Sequence, residues 1–158
     1  MQEQYPVDEA WISQQGFEAE SFPALSLNAV DRLRKAGPSA IVCGPISTGG
    51  YGSAAANFAV FNKVIVALQA RGVKVFSQMP YEAGIGKLRQ AWQEAGNTGY
   101  CMAILEEFYA PLFATGLFSA AFFIPEWESS FGACWEHAEC HRLGIRIYYL
   151  KRSWIASL

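Results

Sequence analysis

Charge is scarce in this sequence. Only 16% of its 158 residues are Asp, Glu, Lys or Arg, and the formal net charge is -2. Neither nucleic acid nor an anionic membrane has an electrostatic reason to bind such a surface. No CxxC pair occurs among Cys43, Cys101, Cys134 and Cys140, and the stretch Met1 to Gln15 carries early acids without an apolar core. It does not read as a secretory signal, so the cysteines are expected as reduced thiols of a cytoplasmic protein. The most apolar stretch, 102–124, is interrupted by Glu106, Glu107, Pro111 and Gly116, which excludes a membrane span. There is no GK[ST] ending, no GxGxxG and no GxSxG elbow. The two histidines, His137 and His141, sit close together without an evident acid partner, so no hydrolase triad is visible. Cys134, His137, Cys140 and His141 have helical spacing, yet one helix cannot supply a zinc tetrahedron, and ordinary packing is the expectation there.

What the sequence does have is apolar mass. A 52% hydrophobic content in a chain of this length builds a substantial core and argues against disorder. Residues 1–26, with Trp11, Ile12, Phe17, Phe22 and Leu25, are too apolar for a free tail and are expected to pack as an extension. Residues 27–158 then form a single domain. Within it, Leu27 to Ala36 has helical spacing and stops at Gly37-Pro38. Ser39 to Cys43 reads as a buried strand. A helix follows from about Ser53 to Ala70, with Phe58, Phe61, Val64, Ile65 and Leu68 on its core face. Val73 to Phe76 is a second strand, residues 77–86 a loop, Lys87 to Ala95 a short helix. Tyr100 to Phe113 is helical and kinked or restarted at Pro111. A strand over 117–124, a helix over 130–143, a strand over 145–150 and a packed tail complete the chain.

Strands alternating with helices predict a three-layer α/β fold: a parallel sheet of four to five strands, helices on both faces and right-handed crossovers, flavodoxin- or Rossmann-like. Ligands of such sheets bind beyond the carboxyl ends of the strands, where the strand order reverses. Two loops that follow strands should meet there. One is glycine- and hydroxyl-rich, Gly44-Pro45-Ile46-Ser47-Thr48-Gly49-Gly50-Tyr51-Gly52-Ser53. The other runs Pro125-Glu126-Trp127-Glu128-Ser129-Ser130-Phe131-Gly132 into a helix. Ser129 and Ser130 are good helix caps, so backbone N–H groups gather at that start, and Gly132 permits close approach. Glu136 lies one turn further along. A donor-rich helix start beside a carboxylate suits a sugar phosphate next to a nucleophile or base. The dipole alone also favours a glutamate there, and Glu126 and Glu128 are alternative acids. Asn57 is either a surface residue or reaches toward the site. Trp127 either packs or stacks on a base.

The two loops together resemble a known family. Cys43-Gly44-Pro45-Ile46-Ser47-Thr48-Gly49-Gly50 resembles the first-strand loop of the nucleoside 2-deoxyribosyltransferase superfamily, which includes the 2'-deoxynucleoside 5'-monophosphate N-glycosidases. Pro125 to Glu136 is similar to its second signature in the W-E-x-S-x-G-A-x-x-E form of a small phage and bacterial branch. The similarity covers about residues 39–150. It implies that Glu136 attacks the anomeric carbon of a (deoxy)nucleoside or its 5'-monophosphate, forming a covalent glycosyl-enzyme resolved by water or a second base. It implies further that Ser129, Ser130 and Gly132 hold the sugar's 5' end or its phosphate. Gly44, Pro45, Ile46, Ser47, Gly49 and Gly50 would line the base and sugar pocket; Asn57 and Trp127 are expected as further substrate contacts from their positions alone. No metal or organic cofactor is required, and a homodimer or higher homo-oligomer is expected, because family members commonly complete their site with a neighbouring subunit. The family pattern also calls for an aspartate near the end of the preceding strand. Ser119-Ala120-Ala121-Phe122-Phe123 has none, so Glu126 or Glu128 would stand in as the second catalytic acid. The same departure motivates an alternative, a non-catalytic nucleotide-binding module that kept the pocket.

Overall fold

Five consecutive buried residues, Ser39–Cys43, make β1, the strand around which the sheet is assembled. A strand covered on both faces reads as a continuous apolar run, and this one does. The computed structural model describes residues 16–46 and 49–158. Their contacts divide into two compact units, each discontinuous in sequence.

The sheet unit takes residues 38–77 and 118–158. It holds β1, α2 (Ala54–Ala70), β2 (Val75–Phe76), β3 (Phe118–Phe123), α5 (Phe131–Leu143), β4 (Arg146–Tyr149) and α6 (Arg152–Ala156). The four strands are all parallel, in the order β2-β1-β3-β4. The chain moves outward from β1 to β2 through α2, and outward the other way from β3 to β4 through α5. Right-handed crossovers travelling in opposite directions place their helices on opposite faces, which gives the three layers expected from the sequence. The order reverses between β1 and β3, and the register Ile41↔Ala121 and Cys43↔Phe123 brings their carboxyl ends level. The core face of α2 is the one its spacing predicts: Phe58, Phe61, Val64, Ile65 and Leu68 are all buried. The tail forms α6, with Ile155 buried and the Arg71 guanidinium 5.1 Å from the Trp154 ring centre.

The second unit comprises, among the described residues, 16–37 and 78–117. It holds α1 (Phe22–Ala36), a 3-10 turn (Met79–Tyr81), α3 (Glu82–Glu94), a π-helical stretch (Ile104–Tyr109) and α4 (Ala110–Ala114). Here the spacing misleads. The helix expected from Leu27 begins at Phe22, where Ser21 accepts from Ala24 N at 3.2 Å and Pro23 sits in the first turn. A proline there loses no intrahelical hydrogen bond. The buried face is Phe22, Leu25, Ser26, Ala29 and Leu33, while Leu27 is 71% exposed. The supposed loop at 77–86 is largely helical, because α3 starts at Glu82 and carries Gly84 in its first turns; a Cβ at Gly84 would stand 2.5 Å from the Phe17 carbonyl oxygen. Packing therefore overrides the low helix propensity of glycine. Polar bonds tie the unit together: Ser26 Oγ donates to Phe108 O at 2.7 Å in the interior, and the Tyr81 hydroxyl donates to Asn28 Oδ1 at 2.7 Å nearer the surface. Tyr81 also stacks on Phe17, with the Arg32 guanidinium over both rings.

Among the described residues no helix is long and apolar enough to cross a membrane.

Candidate functional site

The loops after β1 and β3 meet at the point where the strand order reverses, and specific bonds lock them together. Ile124 N donates to Cys43 O at 2.9 Å, so the two strands leave the sheet as a pair. Gly44 is required by this closeness, since a Cβ on it would stand 2.9 Å from Ile124 Cβ. Ser129 Oγ accepts from Gly50 N at 2.8 Å and donates to Glu126 O at 2.6 Å, joining one loop to the other. Asn57 is the brace of the first loop. Its Oδ1 accepts from Tyr51 N at 2.7 Å, and its Nδ2 donates to Ile46 O at 3.1 Å and Gly49 O at 3.0 Å. Three backbone groups of the turn, one donor and two acceptors, are satisfied by one amide side chain. Asn57 is thus 2% exposed and structural as well as positioned at the site.

An open cleft of about 430 Å³ lies over these loops. Gly49, Gly50 and Gly52 line it with Ser53 and Asn57 from the start of α2 and Glu126 and Ser129 from the β3 loop. Glu126 is the one described non-glycine residue with a left-handed backbone, at φ 73°. Its carboxylate is ion-paired with Arg152 at the start of α6. Glu128, by contrast, is exposed on the 3-10 turn Trp127–Ser129 and does not line the cleft. Of the two alternative acids, Glu126 is the one that lines the cleft.

Ser130 caps α5 as its position predicts, accepting from Ala133 N at 3.2 Å, and Gly132 is half-buried in the first turn. Gly44 and Pro45 are buried and Ile46 half-buried beneath the loop; a Cβ added to Gly50 would lie 2.6 Å from Pro45 Cβ. Ser47 lies outside the described residues. Trp127 belongs to an aromatic group: it stacks on His137 at 4.1 Å and 20°, with Phe123 edge-on to both. His137 Nε2 and the Tyr149 hydroxyl are 2.6 Å apart. Partial burial, with the neighbouring His141, lowers the His137 pKa and favours the neutral ring. Among the described residues no three His, Cys, Asp or Glu side chains converge to hold a metal.

Glu136 is the buried charge of this region, 7% exposed although it sits on a helix surface. Cys43 Sγ donates to its Oε2 at 3.3 Å. Burial pushes the Cys43 thiol well up, and the Glu136 charge pushes it further. Cys140, one turn along α5, is pushed up to about 12 by burial, then by Glu136 and Glu139. Glu136 is not among the residues lining the cleft described above.

Sequence reasoning overlooked Cys43 and Arg152 as partners of the two acids. Strand parity could have found Cys43: it shares a face with Ile41, and its register partner Phe123 contacts His137 of α5. Nothing local marks Arg152, which reaches Glu126 only because β4 returns beside β3.

No protein-family model, no curated protein and no solved structure matches this chain. The deoxyribosyltransferase resemblance therefore rests on the two loop motifs alone.

Proposed function

We propose that this protein cleaves or exchanges the N-glycosidic bond of a (deoxy)nucleoside or its 5'-monophosphate, with Glu136 as nucleophile. The observation that carries the reading is the burial of Glu136 where the ends of β1 and β3 meet, the ligand position of a doubly wound sheet. A carboxylate taken out of water is poorly solvated, and that raises its tendency to form a bond to an electron-poor carbon. In the proposed step a Glu136 oxygen bonds to the anomeric carbon. The carbon–nitrogen bond breaks, and the base leaves with the bonding pair and takes a proton from solvent, which the nucleophile of the second step returns. Water, or the nitrogen of a second base, then attacks the same carbon and frees the carboxylate. The cleft edged by Glu126, Ser129 and the glycines would receive the rest of the substrate.

The test is chromatographic detection of free base from a panel of ribo- and deoxyribonucleosides and their 5'-monophosphates. Wild type should release base, and Glu136→Ala should lower turnover by about a thousandfold or more while its circular dichroism spectrum stays native. Turnover by Glu136→Ala at a near wild-type rate would sink the assignment.

A second reading is favoured by β3 itself, whose residues Phe118–Phe123 include no acid to protonate a leaving base. On that reading the chain is a nucleotide-binding module. A nucleotide that raises the melting temperature yet survives long incubation intact would support it.

A further inference from the structure

Two rigid elements bring Cys43 to Glu136. Cys43 is the last residue of β1, 0% exposed, and points to the face of the sheet that α5 covers. Glu136 sits in the second turn of α5, whose start is fixed by the Ser130 cap and whose end is fixed by Gly144 in the left-handed conformation. A contact between a central strand and a capped helix holds its geometry better than one between loops. The donor is the thiol and the acceptor the carboxylate oxygen, at 3.3 Å.

Resting on the glycosidic reading above, we propose that Cys43 is a positioning residue: its S–H bond to Oε2 fixes the plane of the Glu136 carboxylate for attack. The chemistry of the pair suits the task. A sulfur donor is weak, so it orients the carboxylate without withdrawing as much of its electron density as an O–H or N–H donor at the same place. Because burial and the Glu136 charge both hold the proton on sulfur, the donor is present at every working pH. Cys43 from β1 and Cys140 from α5 itself are among the titratable groups facing Glu136, and both thiols stay protonated. A hydrogen bond to the charged form of a carboxyl favours that form. The bond from Cys43 should therefore favour the charged carboxylate, and Cys43→Ala removes that preference.

Three variants beside wild type, and two readouts, test this. Cys43→Ala should lower kcat about tenfold and move the acid limb of the kcat/KM profile to higher pH by about one unit. Cys43→Ser, which restores a donor, should recover most of the rate and return the limb. The second readout needs neither activity nor the alanine variant. The S–H stretch of Cys43, identified in the infrared as the band lost in Cys43→Ser, should shift to higher frequency in Glu136→Gln, because an amide oxygen accepts more weakly than a carboxylate. An active Cys43→Ala with an unmoved pH profile, or an S–H band indifferent to Glu136→Gln, overturns the proposal. A wild type that releases no base while the band still responds overturns the glycosidic reading instead and leaves the orienting contact standing.

Discussion

Glycine is needed at positions 50 and 52 for different reasons. Both have positive φ, at 75° and 98°, but a Cβ at Gly52 meets open space, whereas one at Gly50 would lie 2.5 Å from Asn57 Oδ1 and 2.6 Å from Pro45 Cβ. Gly52→Ala should cost about 1 kcal/mol, the backbone penalty alone, and Gly50→Ala roughly twice that or more, because the Asn57 brace must also move. Urea midpoints at unchanged m-value will separate the two, and equal costs would show that the brace is not rigid. Glu126 inverts the logic. It occupies a left-handed conformation that costs about 1 kcal/mol or more for a non-glycine residue, and an exposed ion pair with Arg152 returns little of it. Stability does not explain a glutamate there, which is why its place at the cleft matters. At this scale the cap residue Ser130 and the buried Glu136 were legible, because helix starts and spacing are local signals. The bracing role of Asn57 was not, since its partners Ile46 and Gly49 come from a turn whose path no local rule describes.

At the scale of elements, the helix-to-strand pattern of the sheet unit could be read closely, because each strand is a short run that follows a glycine (37, 72, 116 and 144) that ends the element before it. The helices of the other unit were harder. The apolar periodicity at Leu27, Val30 and Leu33 competed with a second one starting at Phe22, and only packing chose between them. The start of α3 was hidden by Gly84 and Gly86. That helix carries a consequence of its own. Glu82, in its first turn, is 5% exposed and has the Tyr109 hydroxyl 3.5 Å from Oε1. Burial raises its pKa from 4.5 to about 7, against the opposing effects of Arg89 and the Tyr109 hydrogen bond. A carboxyl whose folded pKa lies above its unfolded one binds more protons when folded, so its contribution to stability is greatest in acid. It falls as pH rises from about 4.5 to about 7 and is level above that. Melting temperatures of wild type should decline across this window relative to Glu82→Gln, whose neutral amide removes the linkage. Parallel pH curves for the two proteins would disprove a protonated Glu82.

For the molecule as a whole, the parallel sheet and its reversal point followed from the alternation of elements, and so did the meeting of the two loops. The division into two interleaved units did not. It depends on which helices pack together, and α1 joins distant segments through bonds such as Ser26 to Phe108, 82 residues apart, that leave no sequence signature. Each unit draws on residues from both sides of position 77. A chain cut after Ser77 should therefore give two fragments that show no cooperative thermal transition alone and regain one when mixed. Cooperative melting of fragment 1–77 by itself would contradict the interleaving.

Of the four thiols, three are withdrawn from chemistry: Cys43, Cys101 and Cys140 are buried, and burial raises the pKa of each. Cys134 alone is exposed, with Sγ 3.4 Å from the Glu128 carbonyl oxygen. The protein thus carries a single natural attachment point for a fluorophore or spin label. It lies against the turn that bears Trp127 and Ser129, where any reshaping of the loop by a bound molecule would reach the probe first.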